Sequence, residues 1–218
     1  MVKPVPREQK RRIGDEFRRI VHAYPKRPRG LTVGLLGGSF NPAHDGHRHV
    51  SLMALRILNL DRVWWIVSPQ NPLKPTKGMA PFEDRLAAAG KLVASEPRIL
   101  VADIENRLGT RHTAATLRRL KRQFPKVRFV WLMGADNLIQ ISKWKDWTTI
   151  FGSVPIAVFA RPSYCMRAMS SPAARRFAEF RVSSRKIRGL ATREPPAWAF
   201  LWIKPHVASS TEIRRRRT

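Results

Sequence analysis

An apolar run ending in paired glycines constrains this chain more than any other stretch. Leu31 to Ser39 reads LTVGLLGGS, and its unbroken hydrophobicity predicts a buried parallel strand. A polar loop, FNPAHDG, follows. His47 to Leu58 then sets Val50, Leu52, Met53, Leu55, Ile57 and Leu58 at helical spacing, and Arg62 to Val67 (RVWWIV) is a second strand. Strand, loop, helix and strand in that order form a right-handed parallel crossover.

The alternation continues along the chain. Ser68 to Met79, rich in Pro, Asn and Lys, predicts a loop, and Pro81 suits the start of a helix over Phe82–Ser95. Short strands are expected at Ile99–Ala102, Lys126–Met133, Ile156–Ala160 and Ala199–Ile203. Helices are expected at His112–Phe124, in short pieces over Asp136–Ile150, at Pro172–Phe180, and from Ser210 onward. Alternation of this kind predicts an α/β fold: a Rossmann-like, doubly wound parallel sheet with helices on both faces and a small C-terminal helical part. Ligands of such sheets bind at the C-terminal ends of the strands, where the winding reverses. Four polar groups, GGSFNPAHDGH, SPQNPLK, GADN and ARP, each follow a predicted strand directly. Residues 1–30 read as a basic N-terminal extension in which prolines flank the amphipathic stretch Ile13–Val21. Residues 31–218 read as one domain, with a variable basic segment at 165–196 and a C-terminal helix at 209–218.

Charge narrows the partners. The 218 residues carry 42 Lys and Arg against 15 Asp and Glu, a net charge of +27, which favours acidic ligands. A general basic bias is the plain alternative. The tails concentrate part of the excess, with ten basic and three acidic residues in 1–29 and four arginines in the last five residues. A nucleic-acid-binding protein is the reading of a different class, but no RNA-binding signature is present. No apolar run approaches the ~20 residues of a membrane span. Cys165 is the single cysteine, so no internal disulfide forms and a cytoplasmic setting is expected. No Cys/His cluster has zinc spacing, and no protein metal site is expected.

Gly37 and Gly38 end the first strand, which allows close backbone approach to a phosphate and positive φ. The loop enters a helix near Gly46 and His47, and a helix start offers unpaired N–H groups to an anion. His44 and His47, three apart, add imidazole N–H donors where charge develops on a transferred phosphoryl group. The segment has neither the GK[ST] of a P-loop nor GxGxxG. Near the far end, Ser209, Ser210 and Thr211 precede Glu212, Ile213 and Arg214. Alone this is ordinary helix capping. The same hydroxyls, amides and guanidinium also suit phosphate.

GGSFNPAHDGH and SSTEIR together resemble the HxGH nucleotidyltransferase superfamily, and both stand in the superfamily's order. SPQNPLK (68–74), RHTAATL (111–117), GADNL (134–138), WKDWTTI (144–150) and ARP (160–162) resemble its bacterial nicotinate mononucleotide adenylyltransferases. The resemblance covers about residues 31–162 and 200–214. It implies transfer of AMP from ATP to nicotinate mononucleotide, with Mg²⁺ bound through the ATP phosphates. Nicotinamide mononucleotide and phosphopantetheine stay open as acceptors, and a homo-oligomer stays open as the assembly. By the same resemblance His44, His47 and Arg214 are catalytic. Gly37, Gly38, Ser39, Phe40, Gly46, Asp136, Ser209, Ser210 and Thr211 join them in binding ATP. Asn71 and Arg161 take the acceptor's phosphate, Trp144 stacks on the pyridine ring, and the backbone around Thr113 receives its carboxylate. Lys74 stands near the phosphates where relatives carry histidine.

Overall fold

The computed structural model describes residues 30–69 and 78–204. The amphipathic stretch Ile13–Val21, the acceptor residues Asn71 and Lys74, and the C-terminal helix with Ser209, Ser210, Thr211 and Arg214 lie outside the described residues.

Six strands form one sheet: β1 (Leu31–Gly38), β2 (Arg62–Val67), β3 (Ile99–Ala102), β4 (Val127–Gly134), β5 (Ile156–Phe159) and β6 (Trp198–Leu201). Their order is β3-β2-β1-β4-β5-β6, and every pairing is parallel. The doubly wound parallel sheet is as expected from the sequence, and this order puts its winding reversal between β1 and β4. The helices are α1 (Asp45–Ile57), α2 (Phe82–Leu92), α3 (Ile104–Leu108), α4 (Thr113–Gln123), α5 (Ala135–Gln140), α6 (Trp147–Ser153), α7 (Cys165–Met169) and α8 (Pro172–Arg176).

Successive residues of a strand point to opposite faces, so each strand feeds two cores. Trp64 and Trp65 of β2 show this most plainly: both are fully buried, one on each side of the sheet. One core joins Val33, Leu35, Phe129 and Trp131 to Leu117 and Leu120 of α4, and to Phe151 of α6. The other joins Leu36, Val130, Leu132 and Phe159 to Ala54 and Leu55 of α1, and to Ile187 and Leu190. Helices therefore cover both faces, as the pattern predicts.

Several boundaries move. α1 begins at Asp45 instead of His47, because His44 supplies the cap. α2 ends at Leu92, short of Ser95, and β6 runs Trp198–Leu201 rather than Ala199–Ile203. The segment 165–196 folds onto the sheet. The predicted helix Pro172–Phe180 stops at Arg176, a 3₁₀ turn follows at Ala178–Phe180, and a longer 3₁₀ stretch spans Ser184–Thr192. Helix α3 was absent from the sequence reading. It has five residues and closes on Gly109 at φ 60°, a left-handed position that glycine adopts without strain.

Candidate active site

The reversal between β1 and β4 sets two loops side by side at the C-terminal ends of their strands. The first runs from Gly38 into α1. Gly37 does not take the positive φ that the sequence suggested. A Cβ there would lie 2.5 Å from the ring of Trp131 on β4, so Gly37 is needed for close packing between neighbouring strands. The strained backbone in this loop belongs to Phe40, at φ 46°. Burial compensates it: the Phe40 ring is 1% exposed and stacks on Trp65 with centroids 4.9 Å apart. Phe40 therefore lies beneath the loop, and its ring meets that of His47 at 4.7 Å.

His44 and His47 cap α1 reciprocally. The Gly46 amide donates to His44 Nδ1 at 3.1 Å, and the His44 amide donates to His47 Nδ1 at 3.3 Å. The pattern is a capping box in which imidazoles replace the usual hydroxyl and carboxylate. Both Nδ1 atoms accept, so each neutral ring carries its proton on Nε2. The ring centroids stand 3.9 Å apart. Behind them Ser51 donates to the His47 carbonyl at 2.9 Å and accepts from the Trp65 indole at 2.7 Å. Two imidazole donors are thus fixed at a helix start, where the dipole is positive.

The second loop follows Gly134. Asp136 lies in the first turn of α5, and its Oδ2 receives Arg161 Nη1 at 2.8 Å from the loop after β5. The resemblance gave these two residues to different substrates; the structure pairs them with each other. The other oxygen, Asp136 Oδ1, is buried without a partner among the described residues. Thr113 opens α4, and in its first turn the Ala115 amide already donates to the His112 carbonyl at 3.0 Å. Trp144 follows the 3₁₀ turn Ile141–Lys143 and packs half-buried against the core. At the opposite edge of the first loop, His49 of α1 bonds the Lys204 carbonyl at 2.9 Å, so the chain reaches residue 204 beside the histidine-bearing helix.

The cytidylyltransferase-like family matches residues 35–216. A protein of Parvibaculum lavamentivorans named "Probable nicotinate-nucleotide adenylyltransferase" is 55% identical over 187 residues, 86% of this chain and 92% of its own. A protein of the same name from Cereibacter sphaeroides is 54% identical over 184 residues, 84% of this chain and 97% of its own. The chain belongs to the nicotinate-nucleotide adenylyltransferase family. Among solved structures, the nicotinic acid mononucleotide adenylyltransferase of Plasmodium falciparum complexed with NaAD shares the fold. Its TM-score is 0.62 at 16% identity, covering 85% of this chain and 83% of that one.

Three residues near the loops of this family member escaped the sequence reading. Arg85 of α2 is 2% exposed and reaches four backbone carbonyls across both loops. It shares a helical stripe with Phe82 and Ala89, three and four residues away, and that placement on a buried face was its only signal. Glu105 and Asp103 sit where β3 turns into α3. Burial pushes the Glu105 carboxyl up to about 7, helped by the charge of Asp103 and opposed by a hydrogen bond with Ser68. Burial raises Asp103 to about 6, against the pull of Arg107. Among the described residues no three His, Cys, Asp or Glu side chains gather as metal ligands. With the cap amides already bonded, the imidazole N–H groups make up the donor set at the first loop, which suits phosphate oxygen rather than a cation.

Proposed function

We propose that this enzyme transfers the adenylyl group of ATP to nicotinate mononucleotide, releasing pyrophosphate and forming nicotinate adenine dinucleotide for NAD synthesis. The observation that carries the mechanism is the histidine pair. Two rings 3.9 Å apart, each anchored through Nδ1, present Nε2–H donors at a helix start beside the β1/β4 reversal. Phosphates of ATP lie there, on His44 and His47.

An oxygen of the acceptor's phosphate attacks the α-phosphorus, and the bond from that phosphorus to the bridging oxygen of pyrophosphate breaks. A phosphomonoester has its second pKa near ~6, so the nucleophile is already ionised at neutral pH and no general base is needed. Catalysis is positioning plus stabilisation of charge on the equatorial oxygens. His44 and His47 supply donors, and Lys74 and Arg214 supply cations. Residues 209–214 begin five positions after Lys204, a span of at most ~18 Å of extended chain, and Lys204 is held at His49. A divalent ion such as Mg²⁺ would be carried by the nucleotide's own phosphates and would neutralise triphosphate charge there.

Arg161, held by Asp136, takes the acceptor's phosphate together with Asn71. The helix start at Thr113 receives the ring carboxylate, and Trp144 faces the pyridine ring. Asp136 Oδ1, buried without a partner among the described residues, accepts from a ribose hydroxyl. The reaction consumes ATP, which suits a cytoplasmic enzyme. The test is an acceptor panel with ATP, scored by product mass. Nicotinate mononucleotide should give the dinucleotide with a higher kcat/KM than nicotinamide mononucleotide or phosphopantetheine. Preference for either of the other two refutes the acceptor assignment.

A further inference from the structure

Arg85 is a buried cation whose partners are not carboxylates. Its Nε donates to the Ala80 carbonyl at 3.0 Å. Nη1 donates to Ser39 at 2.5 Å and to Ser68 at 2.8 Å, and Nη2 donates to Pro69 at 2.8 Å. The Phe82 ring lies 5.5 Å from the guanidinium carbon. Burial pulls its pKa down from the ordinary arginine value, with Glu83 opposing. A helix needing only a packed face would carry an apolar residue here, because desolvating a guanidinium is costly. The carbonyls it holds come from three separate stretches of chain. Ser39 belongs to the phosphate loop. Ser68 and Pro69 open the segment that carries Asn71 and Lys74, and Ala80 closes it.

Neighbouring bonds tie the same stretches together. Asn41 Nδ2 donates to the Gly78 carbonyl at 3.1 Å, and Asn41 Oδ1 accepts from the Ala80 amide at 3.2 Å. The Ser68 amide donates to the Gly38 carbonyl at 2.8 Å. Both ends of the 68–80 segment are therefore fastened to the loop that begins α1. Only a planar fork with five N–H groups spans four carbonyls in this arrangement; an ammonium offers three donors from one atom.

We propose that Arg85 is a positioning residue, strapping the acceptor segment to the ATP loop so that the two substrates meet at the right separation. This rests on the function proposed above. Its signature is a split between affinity and turnover. The histidines and the α1 start remain when Arg85 is replaced, so ATP alone binds nearly as before. The distance from acceptor to α-phosphorus is no longer fixed, and a displacement near 1 Å costs about 100-fold in rate.

The test compares the full chain with Arg85→Lys and Arg85→Met, well below each protein's melting temperature. Expected for both are an ATP Kd within about threefold of wild type and a kcat per folded molecule lower by about 100-fold. Arg85→Lys keeps the charge, so a normal kcat in that variant would overturn the strap. Hydrogen exchange without substrates gives a readout independent of activity. Amides of residues 38–41 and 78–80 should exchange faster in both variants while β5 and β6 stay unchanged. Unchanged exchange at 38–41 and 78–80 overturns the proposal as well. Should either variant fold poorly, Asn41→Ala, which removes two bonds to the same stretch, is expected to move exchange at 78–80 and kcat in the same direction. A wild-type enzyme making no dinucleotide sinks the functional reading, while the exchange comparison still decides whether Arg85 fastens the loops.

Discussion

Replacing His47 by alanine separates stability from catalysis at a single ring. In the ground state the substitution removes the acceptor for the His44 amide, a bond of 3.3 Å, and the ring contact with Phe40 at 4.7 Å. Losing one cap bond and a partly buried ring costs about 1–2 kcal/mol of folding stability. A domain of this kind has about 5–15 kcal/mol, so the variant stays folded at 25 °C. In the transition state the substitution removes the Nε2–H donor, whose placement follows from Nδ1 accepting. Loss of one preorganised donor to developing charge costs about 3 kcal/mol, or roughly 100- to 1,000-fold in kcat. Initial rates of pyrophosphate release at saturating substrates, alongside a thermal melt, measure both quantities on one preparation. A kcat within threefold of wild type in a protein that melts normally would refute the role given to the ring. A loss of rate matched by a loss of folded protein would refute it equally, since the ring would then act only through the fold.

Other perturbations follow from the same geometry. Gly37→Ala drives a Cβ to 2.5 Å from the Trp131 ring and should destabilise the protein by about 1–3 kcal/mol, read by urea denaturation. Arg161→Ala removes a charge-assisted contact and should raise the KM for nicotinate mononucleotide by about 10- to 100-fold at near-normal stability, since the Asp136 pair is partly exposed. The raised folded-state carboxyl of Glu105, at about 7, makes the native state hold a proton that the unfolded chain has already lost. Stability from this group is therefore fully present below the unfolded pKa, near ~4.3, and falls as pH rises through about 7, by up to about 3 kcal/mol. Glu105→Gln should flatten the fall in unfolding free energy between pH 5 and pH 8; an unaltered slope would exclude Glu105 as its source.

Much of the architecture was legible because it rests on apolar periodicity. β1, β2 and β4 are predominantly hydrophobic runs, and α4 carries a stripe through Ala114, Leu117 and Leu120. The loop motifs were legible because polar clusters stand directly after those strands. What escaped depends on partners distant in sequence. Gly37 looked like a glycine for phosphate approach, and only the neighbouring strand reveals the Trp131 ring that demands it. The start of α1 was misplaced because histidine is an unusual capping residue, and its role shows only once His47 folds back to His44. Arg85 gave no signal beyond its place on a helical stripe, since its four acceptors come from three other stretches of chain. Helix α3 is a single turn and too short to show a period.

The central claim is that an acceptor phosphate oxygen displaces pyrophosphate from ATP at the histidine-capped start of α1. Nicotinate mononucleotide carrying ¹⁸O in its phosphate tests it directly in a single turnover with unlabelled ATP. The account predicts that all the label stays in the dinucleotide, one atom bridging the two phosphorus centres, and none enters pyrophosphate. Label in the released pyrophosphate would mean that a different bond breaks, and the account would fail.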